Sequence, residues 1–158
     1  MIDPCPSHGR YRLRPVRDED ESWMWSAGQE ALRRYVVPIF GDDEAAMRGF
    51  FDRSWRNRLA VEVDGENAGW LEFALERTSL HLHDIGLLRA FRGRGLGGCI
   101  LEDVCRYADE HQLDLELQVL INNPAQRLYE RMGLRPTHYK MFRPRGGWTH
   151  EPPREPAD

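Results

Sequence analysis

The segment 81–101, HLHDIGLLRAFRGRGLGGCIL, constrains the fold more than any other part of the chain. Its first half is extended and apolar, which predicts a β-strand, and its end has apolar residues at helical spacing. Four glycines lie within residues 93–98, between this strand and this helix. A turn with so few side chains leaves successive backbone N–H groups unpaired beside the positive end of a helix dipole. The segment therefore predicts either an anion-binding turn, suited to phosphate or pyrophosphate, or simply a tight connection.

Glycine matters in such a turn because a Cβ atom would keep an anion away from the main-chain amides. The glycines are not followed by the Lys-Ser/Thr pair of a P-loop, and their spacing does not fit the G-x-G-x-x-G pattern of a dinucleotide-binding unit. The pattern therefore argues against these two nucleotide-binding classes.

The remaining segments alternate between strands and helices, and their order predicts one mixed α/β domain of the form βααβββαβαβ. Asp18 and Glu21 have the spacing of a capping box in front of the first helix. Asp43, or its neighbour Asp42, is placed to cap the second helix. We therefore expect the two helices to begin at these positions.

The second and third strands are predicted to form a hairpin, because Asp64 and Gly65 tolerate the positive φ of a tight turn. The segment 134–142 predicts one final strand. The chain length suits a single domain over residues 1–148, followed by a flexible C-terminal tail at 149–158.

The composition argues against several classes of partner. A net charge of −4 and a pI of about 5.9 provide no basic field for nucleic acid. The sequence has no apolar run of membrane-spanning length and no apolar leader, which predicts a cytoplasmic protein without a membrane partner. Cys5, Cys99 and Cys105 are odd in number and lack metal-ligand spacing, so we interpret them as packing residues.

Two motifs carry a resemblance to a known family. Arg92-x-x-Gly95-x-Gly97 resembles the R/Q-x-x-G-x-G/A signature of the GNAT N-acetyltransferases, with Leu87 where that family usually has valine. The segment NNPAQRLYERMGL resembles the family's N-x-x-A-x-x-L-Y-E-x-x-G-F segment. The matching residues there are Asn122, Ala125, Leu128, Tyr129, Glu130 and Gly133, and Leu134 replaces the phenylalanine. Because both motifs occur in the right order, residues 80–134 identify the chain as a member of that family.

This resemblance implies the GNAT fold, a mixed sheet splayed open between its fourth and fifth strands, here with a shortened C-terminal end. It implies acetyl-CoA as the cofactor, with its pyrophosphate at the glycine turn, its pantetheine arm in the splay and coenzyme A as product. No metal is expected. The expected cofactor-binding residues are Leu87, Leu88, Arg92, Gly93, Arg94, Gly95, Leu96, Gly97, Gly98 and Asn122. Asn122 could instead only end the fifth strand.

His81 and His83 are expected on one face of the fourth strand, because side chains alternate with a period of two. An alkylamine with a pKa near ~10.4 must lose a proton before it attacks, and imidazole is well suited to accept it. HLHDIGLLRAFR also resembles a stretch of the arylalkylamine N-acetyltransferases in which two histidines relay this proton through water. Both histidines are therefore candidate catalytic bases. The alternatives are packing within the sheet or a metal site with Asp84, which would point to the opposite face of a regular strand.

Tyr129 matches a tyrosine that, in many family members, protonates the departing thiolate, although it could instead be a core aromatic residue. The first two helices, which form one wall of the acceptor pocket in this family, are rich in aromatic residues that could bind an amine or belong to the core. These residues are Trp23, Trp25, Tyr35, Phe40, Phe50, Phe51 and Trp55. Glu72 could pair with an ammonium group or be a solvated surface charge.

The favoured function is an acetyl-CoA-dependent N-acetyltransferase in which a primary amine attacks the thioester directly, without a covalent enzyme intermediate. The expected partner is a small-molecule or peptide amine acceptor, and a homodimer is left open. The rival hypothesis is a non-catalytic acyl-CoA-binding or sensor module of the same fold.

Overall fold

The computed structural model describes residues 10–120, 122–136, 141–143 and 145–146. Within these residues a seven-stranded sheet is covered by helices on both faces. The strands are β1 (Arg12–Pro15), β2 (Leu59–Val63), β3 (Glu66–Leu75), β4 (Ser79–Leu87), β5 (Asp114–Leu117), β6 (Arg135–Pro136) and β7 (Met141–Arg143). The helices are α1 (Asp20–Phe40), α2 (Glu44–Ser54), α3 (Leu96–Glu110) and α4 (Gln126–Arg131), with 3₁₀ turns at Trp55–Asn57 and Arg89–Phe91.

The strands lie in the order β1-β2-β3-β4-β5-β7-β6, and neighbours are antiparallel except for the parallel pair β4 and β5. This confirms the predicted mixed α/β class. The prediction of one final strand is wrong, because β6 and β7 form a short antiparallel hairpin in which Arg135 faces Phe142. Pro136 lies in β6 at the edge of the sheet, the position where strands tolerate proline. Residues 137–140 and the predicted tail at 149–158 lie outside the described residues.

The splay between β4 and β5 is present where the resemblance placed it. The two strands pair only from Ser79, which faces Asp114, to Leu82, which faces Leu117. Beyond Leu82, β4 continues through residues 83–87 without a ladder partner on that side. The main chain of this part of β4 therefore has an open edge inside the sheet, able to pair with a ligand that has amide groups.

A β-bulge interrupts β4 directly beside this splay. Phe73 of β3 pairs with Leu82, and the adjacent Glu72 pairs with Asp84. His83 therefore has no partner residue on β3. The expectation that Asp84 points away from the histidine face is therefore wrong, because it assumed a regular strand. Asp84 instead lies on the same face of the sheet as Glu72.

Two hydrophobic clusters hold the helices on the sheet. The cluster beneath α3 and α4 includes Leu82, Ile100 and Leu115, and the cluster beneath α1 and α2 is centred on the fully buried Trp70. Cys99 and Cys105 are buried free thiols in the first cluster, which confirms that they are packing residues. Cys5 lies outside the described residues.

The helix starts follow the sequence prediction only in part. Asp43 caps α2 as predicted, its carboxylate accepting a hydrogen bond from the Ala46 amide at 2.9 Å. The predicted capping box of α1 is wrong, because the helix begins at Asp20 and the Asp18 carboxylate pairs with Arg56. Asp20 is buried, and a hydrogen bond from Arg14 is the main cause that lowers its carboxyl pKa to about 2. The predicted hairpin turn is confirmed, with φ of 51° at Asp64 and 81° at Gly65.

Candidate active site

The glycine turn leads into α3 with its amides unpaired. Gly93 and Gly95 have φ of 72° and 77°, the left-handed conformation that glycine adopts without strain. No described side chain caps α3, and its first turn begins with the Cys99 amide donating to the Gly95 carbonyl. The amides of Leu96, Gly97 and Gly98 precede that bond and so have no helical carbonyl to pair with. This is the geometry of an anion-binding helix N-terminus.

A cavity of about 810 Å³, which we call the cofactor cavity, opens in front of this turn. Seven of the ten predicted cofactor residues line it: Leu87, Arg92, Gly93, Gly95, Leu96, Gly97 and Gly98. A Cβ atom on Gly97 would lie 3.7 Å from Leu87 and 3.8 Å from Leu128, so the floor of the cavity is closely packed. The predicted turn and the cavity therefore coincide.

The other three predicted cofactor residues are engaged elsewhere. Leu88 packs against the cluster beneath α1 and α2, and its amide donates to the Ala68 carbonyl at 2.8 Å. The Arg94 guanidinium lies over the ring of Phe91. The Asn122 side chain donates to the Tyr35 carbonyl on α1 at 3.1 Å.

Arg92 connects the glycine turn to α1. Its Nε donates to the Leu87 carbonyl at 2.9 Å, and its Nη2 lies 2.6 Å from Oε2 of Glu30. Arg89 binds the same carboxylate at 2.8 Å. Hydrogen bonds from these two arginines, that from Arg92 first, lower the pKa of Glu30 to about 2. Part of the charge of Arg92 is thus neutralised before any anion arrives.

The sequence did not indicate two other cations at the cofactor cavity. Arg10 and Arg131 both line it, and Arg10 donates to the Arg94 carbonyl at 2.8 Å. Arg10 precedes β1 and belongs to no motif. Its proximity arises from the packing of β1 in the sheet, which no local pattern indicates.

The two histidines lie together as predicted. Their ring centroids are 4.5 Å apart and the planes are inclined by 27°, a stacked arrangement. His83 is exposed and lines a cavity of about 170 Å³ in the opening between β4 and β5, which we call the splay cavity. His81 is half-buried behind it, with Nδ1 at 3.8 Å from Oε2 of Glu116. His83 is thus the nearer of the two to this cavity.

Tyr129 lines the splay cavity from α4 and is buried. Burial, together with the negative charge of Asp84, raises the pKa of this phenol to about 12. Tyr129 is therefore protonated at neutral pH and available as a hydrogen-bond donor.

A buried charge cluster lies behind the splay cavity, and the sequence indicated it only through Glu72. Arg58 donates from Nη2 to Oδ2 of Asp84 at 2.9 Å, and its Nε lies 3.7 Å from Oε2 of Glu72. The guanidinium lies between the rings of Phe51 and Trp70, 5.2 Å from each. Glu72 is only 8% exposed, and burial raises its pKa. The alternative of a solvated surface charge at Glu72 is therefore wrong.

A second cavity, of about 620 Å³, lies between α1 and α2 and is called here the helix cleft. Of the seven aromatic residues singled out in the sequence, Trp25, Phe40, Phe50 and Phe51 line it. Leu32, Val36 and Leu120 line both the helix cleft and the splay cavity, so the two adjoin. Trp55 is buried, stacked on Phe51, and belongs to the core.

Two further features concern metals and membranes. Among residues that the structure describes, no group of three or more His, Cys, Asp and Glu side chains is arranged to hold a metal ion. Asp84, a ligand in the metal alternative, accepts hydrogen bonds from Arg58 and Trp70. Within the same residues no helix has both the length and the apolar character needed to cross a bilayer.

Comparison with known proteins gives one family and many similar folds. Residues 16–134 match the model described as "Acetyltransferase (GNAT) family". No curated protein matches the sequence.

Three solved structures illustrate the similarity of fold. Spermidine N-acetyltransferase from Vibrio cholerae, in complex with CoA and spermine, has a TM-score of 0.63 at 15% identity, over 87% of this chain and 96% of that one. The ribosomal-protein-S18-alanine N-acetyltransferase from Escherichia coli has a TM-score of 0.61 at 18% identity, over 89% and 97%. A GNAT family acetyltransferase from Brucella melitensis, in complex with acetyl-CoA, has a TM-score of 0.54 at 20% identity, over 85% and 87%. At these identities the likeness establishes the fold.

Proposed function

The chain belongs to the GNAT acetyltransferase family, whose model matches residues 16–134, and we propose that it transfers the acetyl group of acetyl-CoA to a primary amine. One observation carries the proposal. An uncapped glycine turn adjoins a splayed sheet, and the splay cavity contains an imidazole, His83, and a protonated phenol, Tyr129. These are the groups needed to hold a diphosphate, accept a proton and supply one.

The cofactor cavity fits acetyl-CoA by its chemistry. The unpaired amides of Leu96, Gly97 and Gly98 would bind the pyrophosphate, with Arg10 and Arg131 adding positive charge. The open edge of β4 at residues 83–87 offers main-chain groups to the amides of the pantetheine arm. The acetyl thioester that acetyl-CoA supplies would then lie in the splay. Leu88, Arg94 and Asn122 stay predictions as cofactor contacts.

His83 is proposed as the group that accepts the amine's proton. An alkylamine is almost wholly protonated at neutral pH, so freeing its lone pair costs roughly 4–5 kcal/mol. His83 lines the splay cavity and can take the proton directly or through water, and a bridging water can relay it to His81, which stacks on His83 with Glu116 nearby.

Tyr129 is proposed as the acid. Its pKa, raised to about 12 by burial, keeps the phenol protonated at neutral pH, so that its O–H can donate a hydrogen bond to the sulfur as negative charge develops there. A proton moves from the phenol to the leaving sulfur, which departs as coenzyme A, and the phenolate is reprotonated from solvent.

Direct attack by the amine is proposed, without an acyl-enzyme. Cys99 and Cys105 are buried, and burial raises the pKa of both thiols, that of Cys105 to about 11. Neither belongs to the lining of the splay cavity. A thiol that is buried and protonated is a poor nucleophile.

The acceptor is a small-molecule or peptide amine. Proteins of similar fold named for each kind, the spermidine enzyme and the ribosomal-protein alanine enzyme, support this breadth. Location in the cytoplasm, independence from nucleic acid and membranes, and formation of a homodimer stay predictions.

An acceptor screen tests the proposal. Purified protein is incubated with acetyl-CoA and a panel of primary amines, and free thiol is followed with a chromogenic reagent. We expect amine-dependent thiol release for at least one class, with mass spectrometry showing a gain of one acetyl group on the amine. Tight binding of acetyl-CoA without transfer to any amine would instead favour the non-catalytic acyl-CoA-binding module.

A further inference from the structure

Asp84 has one oxygen fixed and the other open. Its Oδ2 accepts hydrogen bonds from Arg58 Nη2 at 2.9 Å and from Trp70 Nε1 at 2.8 Å. No described residue donates a hydrogen bond to Oδ1, and Asp84 lines the splay cavity with 19% of its side chain exposed. The bulge at His83 is what turns this carboxylate to the acceptor face. A carboxylate with one hydrogen-bonded oxygen and one open oxygen thus lines the cavity in which the proposed function places the acetyl thioester.

Arg58 does not cancel the charge of this carboxylate. The guanidinium lies between Asp84 and Glu72, so two carboxylates share one cation. Its Nε and Nη1 are buried and make no hydrogen bond to described residues. Because Nε and Nη1 are inaccessible and Nη2 already donates to Asp84, Arg58 orients that carboxylate and is poorly placed to bind an anionic group beside it.

The helix cleft that adjoins the splay cavity is mostly apolar, and the charged residues in its lining are Arg33, Asp43, Arg53 and Arg58. Trp25, Phe50 and Phe51 supply aromatic surface, and Leu32 and Val36 continue that surface to the splay cavity. A molecule that occupies both cavities therefore places one part against apolar side chains in the helix cleft and the other part beside the Asp84 carboxylate in the splay cavity.

We propose that Asp84 binds the ammonium group of the acceptor, and that the acceptor is a primary amine with an apolar body and no anionic group beside its nitrogen. The inference rests on the proposed function and adds the substrate class to it. An α-carboxylate next to the amine would lie against Asp84, where like charges repel, and two of the three guanidinium nitrogens of Arg58 are buried out of its reach.

Asp84 acts in binding rather than in proton removal. A carboxylate stabilises the charged ammonium, so it strengthens capture of the acceptor while His83 takes the proton. Removal of the charge is therefore expected to raise KM for the amine and to leave kcat unchanged or higher.

The test uses acceptors that differ only by a carboxylate. Pentylamine is compared with norleucine, and 2-phenylethylamine with phenylalanine, in the acetyl-transfer assay with wild-type protein, Asp84→Asn and Asp109→Asn. Asp109 is the matched control, a carboxylate also paired with an arginine, Arg143, at 2.6 Å and outside the lining of the splay cavity and the helix cleft. Circular dichroism and the Tm check that each variant folds.

We expect the amines to exceed the amino acids in kcat/KM by about 100-fold, and Asp84→Asn to raise the amine KM about 10- to 100-fold. The KM for acetyl-CoA and the behaviour of Asp109→Asn should match wild type. Acetylation of the amino acids as fast as the amines, or an unchanged amine KM in Asp84→Asn, overturns the inference and leaves the proposed function intact.

A binding measurement tests the role of Asp84 even if the protein acetylates no amine. If no amine is acetylated, the proposed function fails. Calorimetric binding of pentylamine to the coenzyme A-loaded protein, weakened in Asp84→Asn, would then still support the ammonium site. Absent or equal binding would overturn it. If Asp84→Asn does not fold, the wild-type ratio of each amine to its amino acid decides alone.

Discussion

The two sides of the splay are built from different parts of the polypeptide. On the cofactor side the binding surface is mostly main chain, the amides and left-handed glycines of one contiguous turn. On the side proposed for the acceptor it is made of side chains from several separate segments, including Arg58, Asp84 and the aromatic residues of α1 and α2. A main-chain site depends on a short run of sequence, whereas a side-chain site depends on the assembled fold. The first can be identified from a motif, and the second needs coordinates.

The largest expected effect tests the main-chain side. Gly95→Val should weaken coenzyme A binding, measured by calorimetry, by about 100-fold or more, because the turn that presents several amides to the anion is lost. The φ of 77° at Gly95 strains a β-branched residue, so stability should also fall, by about 1–3 kcal/mol.

Gly65→Val separates strain from binding. Gly65 has a φ of 81°, lies in the β2–β3 turn and has nothing within 4 Å of an added Cβ atom. It should lose similar stability and keep full affinity for coenzyme A. Equal affinities of Gly95→Val and Gly65→Val for coenzyme A would show that the glycine turn does not bind the anion.

The next effect tests whether chemistry on the acceptor side depends on imidazole. His83→Ala should lower kcat/KM by about 100-fold at neutral pH, because the amine then loses its positioned base. His81→Ala should cost less, since His81 stands behind His83 at 4.5 Å between ring centroids. Coenzyme A affinity is the control and should be unchanged in both. Unaltered pH–rate profiles in both variants would contradict a role for the histidines as bases and would favour the alternative that they pack within the sheet.

The smallest effect concerns Tyr129, which lies between the two sides. Tyr129→Phe should reduce kcat about 10-fold while the KM for acetyl-CoA stays near wild type, because the change removes one proton donor and little packing. Stopped-flow measurement of thiol release reports the step directly. Undiminished kcat would show that solvent protonates the leaving thiolate and that Tyr129 is a core residue.

The sequence was most informative where local chemistry decides the structure. The Asp64-Gly65 turn and the Asp43 cap follow from the conformations and hydrogen bonds of single residues, and both are confirmed. The glycine turn follows from one contiguous motif. Each of these features needs no information from distant segments.

The failures have a common physical cause, which is competition from distant partners. Asp18 has the spacing of a cap, but the buried Asp20 gains more from Arg14 and becomes the first residue of α1. The bulge at His83 is set by the register between β3 and β4, so strict alternation placed Asp84 on the wrong face. Arg10 reaches the cofactor cavity only through sheet packing. Local patterns contain no information about such contacts.

Glu30 joins the two sides of the splay physically. Its carboxylate holds Arg89 and Arg92 beside the glycine turn, while its own helix, α1, carries Leu32 and Val36 into the splay cavity. Any acceptor that displaces α1 must also pull on the glycine turn, through the contacts of Glu30 with Arg89 and Arg92. Thermodynamic reciprocity then requires that a bound nucleotide change the acceptor's affinity by the same factor. Glu30 is thus a position where such coupling could be changed without altering His83 or Tyr129.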